Sequence, residues 1–230
     1  MLADIVPEGV LWKVAEDWMW NTPVCDAEEA LVTKAVDKRK REFRAGRHCA
    51  HALFEEAGVH CSALLKGKQR EPGWPDGWVG SISHSNGLCV VAIAPKTAYL
   101  SIGLDVEQAT PLGEDIINLI CSPAEQDQMT RLQLTSGQKL ASIPLSKVIF
   151  SAKESVHKTY FPLNYHTLDF LDARVDLRQD EFRFEANIIK PEPNPIYPLD
   201  QLHGRFCMSG GFVATFIALS AASTAGTENQ

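Results

Sequence analysis

Leu31, Val36, Phe43, Ala50, Leu53 and Phe54 return at roughly helical spacing, the pattern of one buried helix face. Asp26 followed by Glu29 reads as a capping-box start and Gly58 as a stop, which predicts a helix over 26–58. The pattern then changes. Val79–Ala94 reads as a hairpin, with a Ser85-Asn86-Gly87 turn between two short apolar runs. Ala98–Glu107 reads as the next strand. A largely helical stretch follows from about Glu114 to Phe161, interrupted near Ser136-Gly137 and Pro144. Strands are predicted at Leu168–Leu177, Phe182–Ile189, Gly204–Met208 and Phe212–Leu219, with a Ser209-Gly210-Gly211 turn joining the last two. Pro191–Pro198 reads as a loop, and Gly73, Gly77 and Gly80 as turn residues.

The order helix, strands, helix, strands predicts an α+β protein rather than a regular βαβ alternation. Two halves of similar make-up meet near residue 110, giving lobes over 1–108 and 109–220 and a frayed tail over 221–230. No short-period repeat and no Rossmann or P-loop glycine pattern is present in the 230 residues.

Composition narrows the class. The longest apolar runs, Leu88–Ala94 and Phe212–Ala222, fall short of the ~20 residues a membrane span needs. Charged residues from Asp4 to Asp17 interrupt any signal-peptide core, so a cytoplasmic protein is expected. The six cysteines are scattered, without a C-x-x-C pair or zinc spacing, and read as reduced thiols. Lys34–Arg47 holds seven basic and two acidic residues, whereas Asp105–Thr130 holds six acidic residues and no Lys or Arg. With a net charge of −7, one basic stripe suits a single anionic small molecule or acidic partner better than nucleic acid. An isolated stripe of this kind is also what a solvated helix face looks like.

Three segments could carry chemistry. In Ile102-Gly-Leu-Asp105-Val-Glu107 the two carboxylates, at i and i+2 on a strand, point to one face. Like charges held together raise each other's pKa unless a cation lies between them, and an oxygen-only pair suits Mg²⁺ or Mn²⁺; a strand end entering solvent would look the same. In Phe150-Ser-Ala-Lys153-Glu154-Ser-Val-His157-Lys158, Glu154 and Lys158 share a helix face. Ser151-x-x-Glu154 is also formally a capping box. In Gly80-Ser-Ile-Ser83-His84-Ser-Asn-Gly87, a histidine at a strand end can reach a phosphate or simply cap the hairpin.

Taken in order, Arg39-x-x-Glu42-Phe43-x-x-x-Arg47, Glu71-Pro-Gly-Trp74, Gly80-Ser-Ile-Ser83-His84, Gly103-Leu-Asp105-Val-Glu107 and Phe150-Ser-Ala-Lys153-Glu154-x-x-x-Lys158 resemble the 4′-phosphopantetheinyl transferases. The likeness is to the enterobactin-synthase component D type and its actinobacterial relatives, over about residues 35–165. It implies a monomer with a pseudo-twofold pair of lobes, each a small antiparallel sheet packed with a long helix. Coenzyme A would lie in the cleft between them. The implied reaction moves the phosphopantetheine arm of coenzyme A to a serine of an apo acyl or peptidyl carrier protein, releasing adenosine 3′,5′-bisphosphate.

By motif position the resemblance makes Asp105, Glu107 and Glu154 the Mg²⁺ ligands. Arg39 and Arg47 face the 3′-phosphate, Glu71 and Pro72 lie along the nucleotide, and Ser83 and His84 contact phosphate. Lys158 reaches the pyrophosphate. Relatives carry a basic residue before a Gly ahead of the Pro; here Lys68-Gln69-Arg70 precedes Glu71, so either Lys68 or Arg70 takes that contact. Phosphoryl transfer rests mostly on positioning and charge stabilisation, which His84, Lys158 and the arginines supply, with Glu154 as the candidate base. A metal-dependent phosphohydrolase or nucleotidyltransferase, and a non-catalytic coenzyme A-binding module, are the alternatives. The carrier is expected beside the helix that bears Lys153 and Lys158.

Overall fold

A computed structural model describes residues 2–67, 71–135, 143–178 and 182–224. In chain order its elements are β1 (Leu11–Val14), α1 (Asp26–Glu29), α2 (Asp37–Glu56), β2 (Trp78–Ser85), β3 (Leu88–Pro95), β4 (Tyr99–Gln108), α3 (Glu114–Ile120), α4 (Pro123–Thr135), α5 (Leu145–Asn164), β5 (Ala173–Arg178), β6 (Arg183–Ile188), β7 (Gln201–Ser209) and β8 (Phe212–Ser220). The predicted hairpin is β2–β3. Asn86 and Gly87 take φ of 42° and 84°, the type I′ turn that matches strand twist.

The protein is α+β with two antiparallel sheets, one ordered β1-β3-β2 and the other β4-β8-β7-β6-β5. Apolar residues of β3 (Val90, Ala92, Ala94) meet those of β4 (Ile102, Leu104, Val106) and β8 (Ala214, Phe216) in a shared core between the sheets. Leu53 and Phe54 of α2 cover the outer face of the first sheet at Val91 and Ile93. On the second sheet Val148, Ile149, Ala152 and Val156 of α5 pack against Val175, Phe184 and Ile217. The layers are therefore helix, sheet, sheet, helix.

Several elements differ from expectation. The helix predicted over 26–58 is broken: α1 and a 3-10 turn at Ala30–Val32 precede α2. Glu29 caps nothing at α1; its carboxylate accepts two 2.8 Å bonds from Arg44 and one of 3.1 Å from the Val24 amide. Glu28 turns inward to the Leu64 amide at 2.7 Å, so long-range partners win over local helix continuation. β1 was not foreseen, because four residues carry too little alternation to read. Strand β4 is laddered to β8, so the sheets divide between Pro95 and Tyr99 rather than at 108; the choice of a distant partner leaves no local mark. Gly80 is not a turn residue but sits inside β2, where an added Cβ would lie 2.6 Å from the Trp74 ring. The break read at Ser136-Gly137 and the end of the tail lie outside the described residues. All six cysteines are free thiols, and no helix among the described residues is long and apolar enough to cross a membrane.

Candidate active site

Strand β4 brings Gly103, Asp105 and Glu107 onto the face that meets α5, because alternate strand residues share a side. Gly103 allows close approach: an added Cβ would lie 2.1 Å from the Ser155 carbonyl oxygen and 2.3 Å from Thr159 Oγ1. The helix is further fixed by hydroxyls. Ser151 and Ser155 meet Thr215 Oγ1 of β8 at 3.0 and 2.7 Å, and Ser101 donates to the Thr159 carbonyl at 2.8 Å. Ser151 is thus a mid-helix contact, not a cap, and the capping-box reading of Ser151–Glu154 falls. With α5 held there, Glu154 and Lys158, one turn apart, face the β4 carboxylates.

Asp105 is buried. Its Oδ1 accepts from Ser83 Oγ and from Lys158 Nζ, both at 2.8 Å. The Ser83 hydroxyl also accepts from the Val106 amide at 3.1 Å and from Lys158 at 3.2 Å. Serines 81 and 83 of β2 therefore bridge to the edge of β4 in place of a backbone ladder, with the Leu104 amide donating to Ser81 Oγ at 3.0 Å. Asp105 Oδ2 is buried without a partner, an arrangement that costs free energy unless something binds it.

Glu107 accepts from Ser85 Oγ at 3.2 Å and lies 3.8 Å from Lys147 Nζ. Its pKa is raised, first by burial and then by the Asp105 charge. Glu154 is also raised: burial leads, Lys158 opposes, and the charges of Asp105 and Glu107 add to the rise. The three carboxylates are thus close enough to repel one another. Among the described residues no group of three or more His, Cys, Asp or Glu side chains converges as a ready metal-ligand set. In this arrangement the Lys158 ammonium is the cation against Asp105. The donors are all carboxylate oxygens, and an orphaned one is buried among them, which fits a hard divalent cation.

The basic side of the site comes from α2 and β2. Arg39 Nη1 and His84 Nε2 are 2.8 Å apart; a guanidinium can only donate, which leaves the ring proton on Nδ1, 3.6 Å from Glu42 Oε2. Burial, ahead of the neighbouring charges, lowers the pKa of His84 and so favours this neutral ring. Arg47 is only 5% exposed. Its Nε donates to the Leu64 carbonyl at 2.9 Å and lies 3.7 Å from Glu28, with the guanidinium over the Phe43 ring. Burial lowers its pKa to about 10. Glu71 and Pro72 line a cavity of about 390 Å³ with Trp74 and Ile82 on one side and His157 and Lys158 on the other, so the space lies between β2 and α5. Lys68 and Arg70 lie outside the described residues.

Lys153, on the helix beside which the carrier is expected, is 4% exposed and lies inside the protein rather than at its surface. Sequence reasoning also passed over Ser85, Lys147 and His157. A Ser83-x-Ser85 alternation on the strand beside Asp105-x-Glu107 is a usable signal for the first. Lys147 and His157 carry none, since only the docking of α5 brings them near.

Strand carboxylates facing Glu154 and Lys158, with the Arg39–His84 pair contributed by α2 and β2, gather acidic and basic groups of the kind phosphoryl chemistry needs. Two family models cover the chain: the 4′-phosphopantetheinyl transferase N-terminal domain over residues 27–94 and the 4′-phosphopantetheinyl transferase superfamily over 101–214. The interval between them falls where the two sheets divide. The chain is 32% identical to the 4′-phosphopantetheinyl transferase Svp of Streptomyces mobaraensis, across 100% of this chain and 93% of that protein. It is 31% identical to the 4′-phosphopantetheinyl transferase PptT of Mycobacterium tuberculosis, across 95% and 98%. Against enterobactin synthase component D of Escherichia coli K12 it is 34% identical, over 56% of this chain and 58% of that one. The chain belongs to the 4′-phosphopantetheinyl transferase family. Neither a phosphohydrolase nor a non-catalytic binding module describes it.

Proposed function

We propose that this enzyme transfers the phosphopantetheine arm of coenzyme A to a carrier-protein serine at a Mg²⁺ site formed by Asp105, Glu107 and Glu154. The observation that carries this reading is the buried, unpartnered Oδ2 of Asp105 beside two carboxylates whose pKa values are raised. Bound there, the cation would neutralise the carboxylates and draw in the pyrophosphate. Lys158, already within 2.8 Å of Asp105, is placed to turn toward the leaving bisphosphate as its charge grows. The Arg39–His84 pair offers donors to phosphate, and Arg47 supports the same region from within. Glu154, which faces the β4 carboxylates from α5, is the candidate to accept the serine proton, directly or through one water. The 390 Å³ cavity supports coenzyme A binding between β2 and α5, with the protein acting as a monomer.

Incubation with coenzyme A, MgCl₂ and an apo carrier protein, followed by intact-mass measurement of the carrier, tests the reading. The carrier should gain one phosphopantetheine, and a carrier with its serine replaced by alanine should gain nothing. Full modification in excess chelator would remove the metal from the proposal, and an unmodified carrier in the presence of Mg²⁺ would overturn it.

A further inference from the structure

Lys153 precedes Glu154 yet points into the protein. All three of its ammonium donors are used, each by a different element. Nζ donates to the Ile120 carbonyl at the end of α3 at 2.7 Å, to the Phe170 carbonyl at 2.7 Å and to Glu125 Oε2 of α4 at 2.9 Å. Glu125 is itself 1% exposed and fully engaged. Its Oε2 accepts from the Ser122 amide at 2.7 Å, closing a capping box at the start of α4, and its Oε1 accepts from the Val175 amide at 2.8 Å. One turn on, Gln128 accepts from the Leu177 amide at 3.0 Å. Side chains of α4 thus satisfy the outer edge of β5.

A buried ion pair is costly to desolvate, and apolar residues of the same volume often hold a fold as well or better. Stability is therefore a poor explanation for this one. Its distinctive property is direction: bonds to two backbone carbonyls and one carboxylate tie three separate segments to one point on α5. Gly103, Thr215 and the hydroxyls secure the Ser151–Ser155 side of that helix, whereas Lys153, two residues from each and so about half a turn round, secures the side toward α3, α4 and Phe170. The Phe170 turn it holds walls a space of about 270 Å³ shared by Glu154, His157, Leu168 and Ala173.

We infer that Lys153, together with Glu125, is a positioning residue for the step at Glu154, fixing the α3–α4 corner and the Phe170 turn around that carboxylate. This rests on the transferase reading above. K153M and the charge-neutral pair K153M/E125Q test it through three readouts: thermal midpoint, hydrogen exchange of 117–128 and 168–178, and carrier-modification kinetics. K153M should be strongly destabilised, because Glu125 is left buried and charged, and the double variant should recover most of that loss. Its kcat should nonetheless stay roughly ten- to a hundredfold below that of the unaltered enzyme, with KM for coenzyme A changed by less than about twofold. Exchange at 168–178 should remain fast. If the double variant does not fold, E125Q alone, with Lys153 retained, should show the same fall in kcat and the same faster exchange. A kcat that recovers in step with the thermal midpoint, or exchange that matches the unaltered protein, overturns the inference. An unaltered enzyme that modifies no carrier would sink the transferase reading instead, and the exchange arm would still decide the positioning role.

Discussion

Helices α2 and α5 are both twenty residues long and each covers one sheet, yet they use polar residues in opposite ways. Eight residues of α2 are buried against fourteen of α5, so a polar side chain on α5 has to find its partner inside the protein. On α2 the basic residues Lys38, Arg39 and Arg41 stay in solvent, whereas Arg44 is half-buried against Glu29 and Arg47 goes inward. On α5, Ser151, Lys153, Ser155 and Thr159 are all buried and all bonded. An exposed charge costs little to keep and can wait for a ligand. A buried one persists only where geometry satisfies it, which is why chemistry and architecture are so closely interleaved along α5.

The largest effect should come from the α5 side of that contrast. Asp105→Asn or Glu154→Gln removes a carboxylate from the cation site without changing side-chain volume. Transfer to the carrier should fall by about a hundred- to a thousandfold or more, the scale at which a single preorganised electrostatic group acts. Circular dichroism should show the fold intact. Transfer within a few-fold of the starting rate would place the site elsewhere.

Two glycines sharpen the comparison in terms of packing. Gly103→Ala drives a Cβ to 2.1 Å from a backbone carbonyl of α5, an overlap that no side-chain rotation relieves. A loss of about 3 kcal/mol or more is expected. Gly46→Ala on α2 meets a methyl of Ile82 at 3.0 Å, and alanine gains about 1 kcal/mol of helix propensity over glycine. The two terms nearly cancel. Urea titration of both variants checks the difference, and equal losses would contradict the account of α5 docking.

For the exposed side, Arg39→Ala should weaken coenzyme A roughly ten- to a hundredfold, the worth of a charge-assisted phosphate contact. It should barely alter binding of the 3′-dephospho form. Calorimetric titration with both ligands decides the matter; equal losses would return Arg39 to the role of a solvated helix residue.

What the sequence made legible follows the same division. The hairpin was readable because Asn86-Gly87 demands a positive φ at both positions, and the i, i+2 carboxylates because strand alternation puts Asp105 and Glu107 on one face. Glu154 and Lys158 were readable from helical spacing. The burial of Lys153 was not legible for a physical reason: Ile120, Glu125 and Phe170, which surround it, lie 17 to 33 residues away. Glu29 misled as a helix start, because its carboxylate serves Arg44 and the Val24 amide instead. The pairing of β4 with β8 spans more than a hundred residues and leaves no local trace. The start of α4 carries a local signal, since Ser122-Pro-Ala-Glu125 has the form of a capping box with Pro at its first turn.

The smallest effect concerns pH, and here the two halves should move in opposite directions. Glu154 has its pKa raised, chiefly by burial, so its contribution to stability is fully present below the unfolded value and is lost as pH rises through the folded one. Glu154→Gln removes that liability and should raise the thermal midpoint at pH 8 by roughly 2–4 °C, equivalent to about 1 kcal/mol for a chain this size. The gain should fade toward pH 4. Glu28 behaves the other way. Burial alone would raise its pKa, but bonds from His51 and the Leu64 amide bring it below the ordinary carboxylate value. Its stabilisation is present above the unfolded pKa and is lost as pH falls, so Glu28→Gln should lower the midpoint at neutral pH and matter less in acid. Thermal scans of both variants from pH 4 to pH 8 give two difference curves of opposite sign. Curves of the same sign would mean that Glu154 is stabilised as an anion by its surroundings, and would undo the view of α5 as the strained partner.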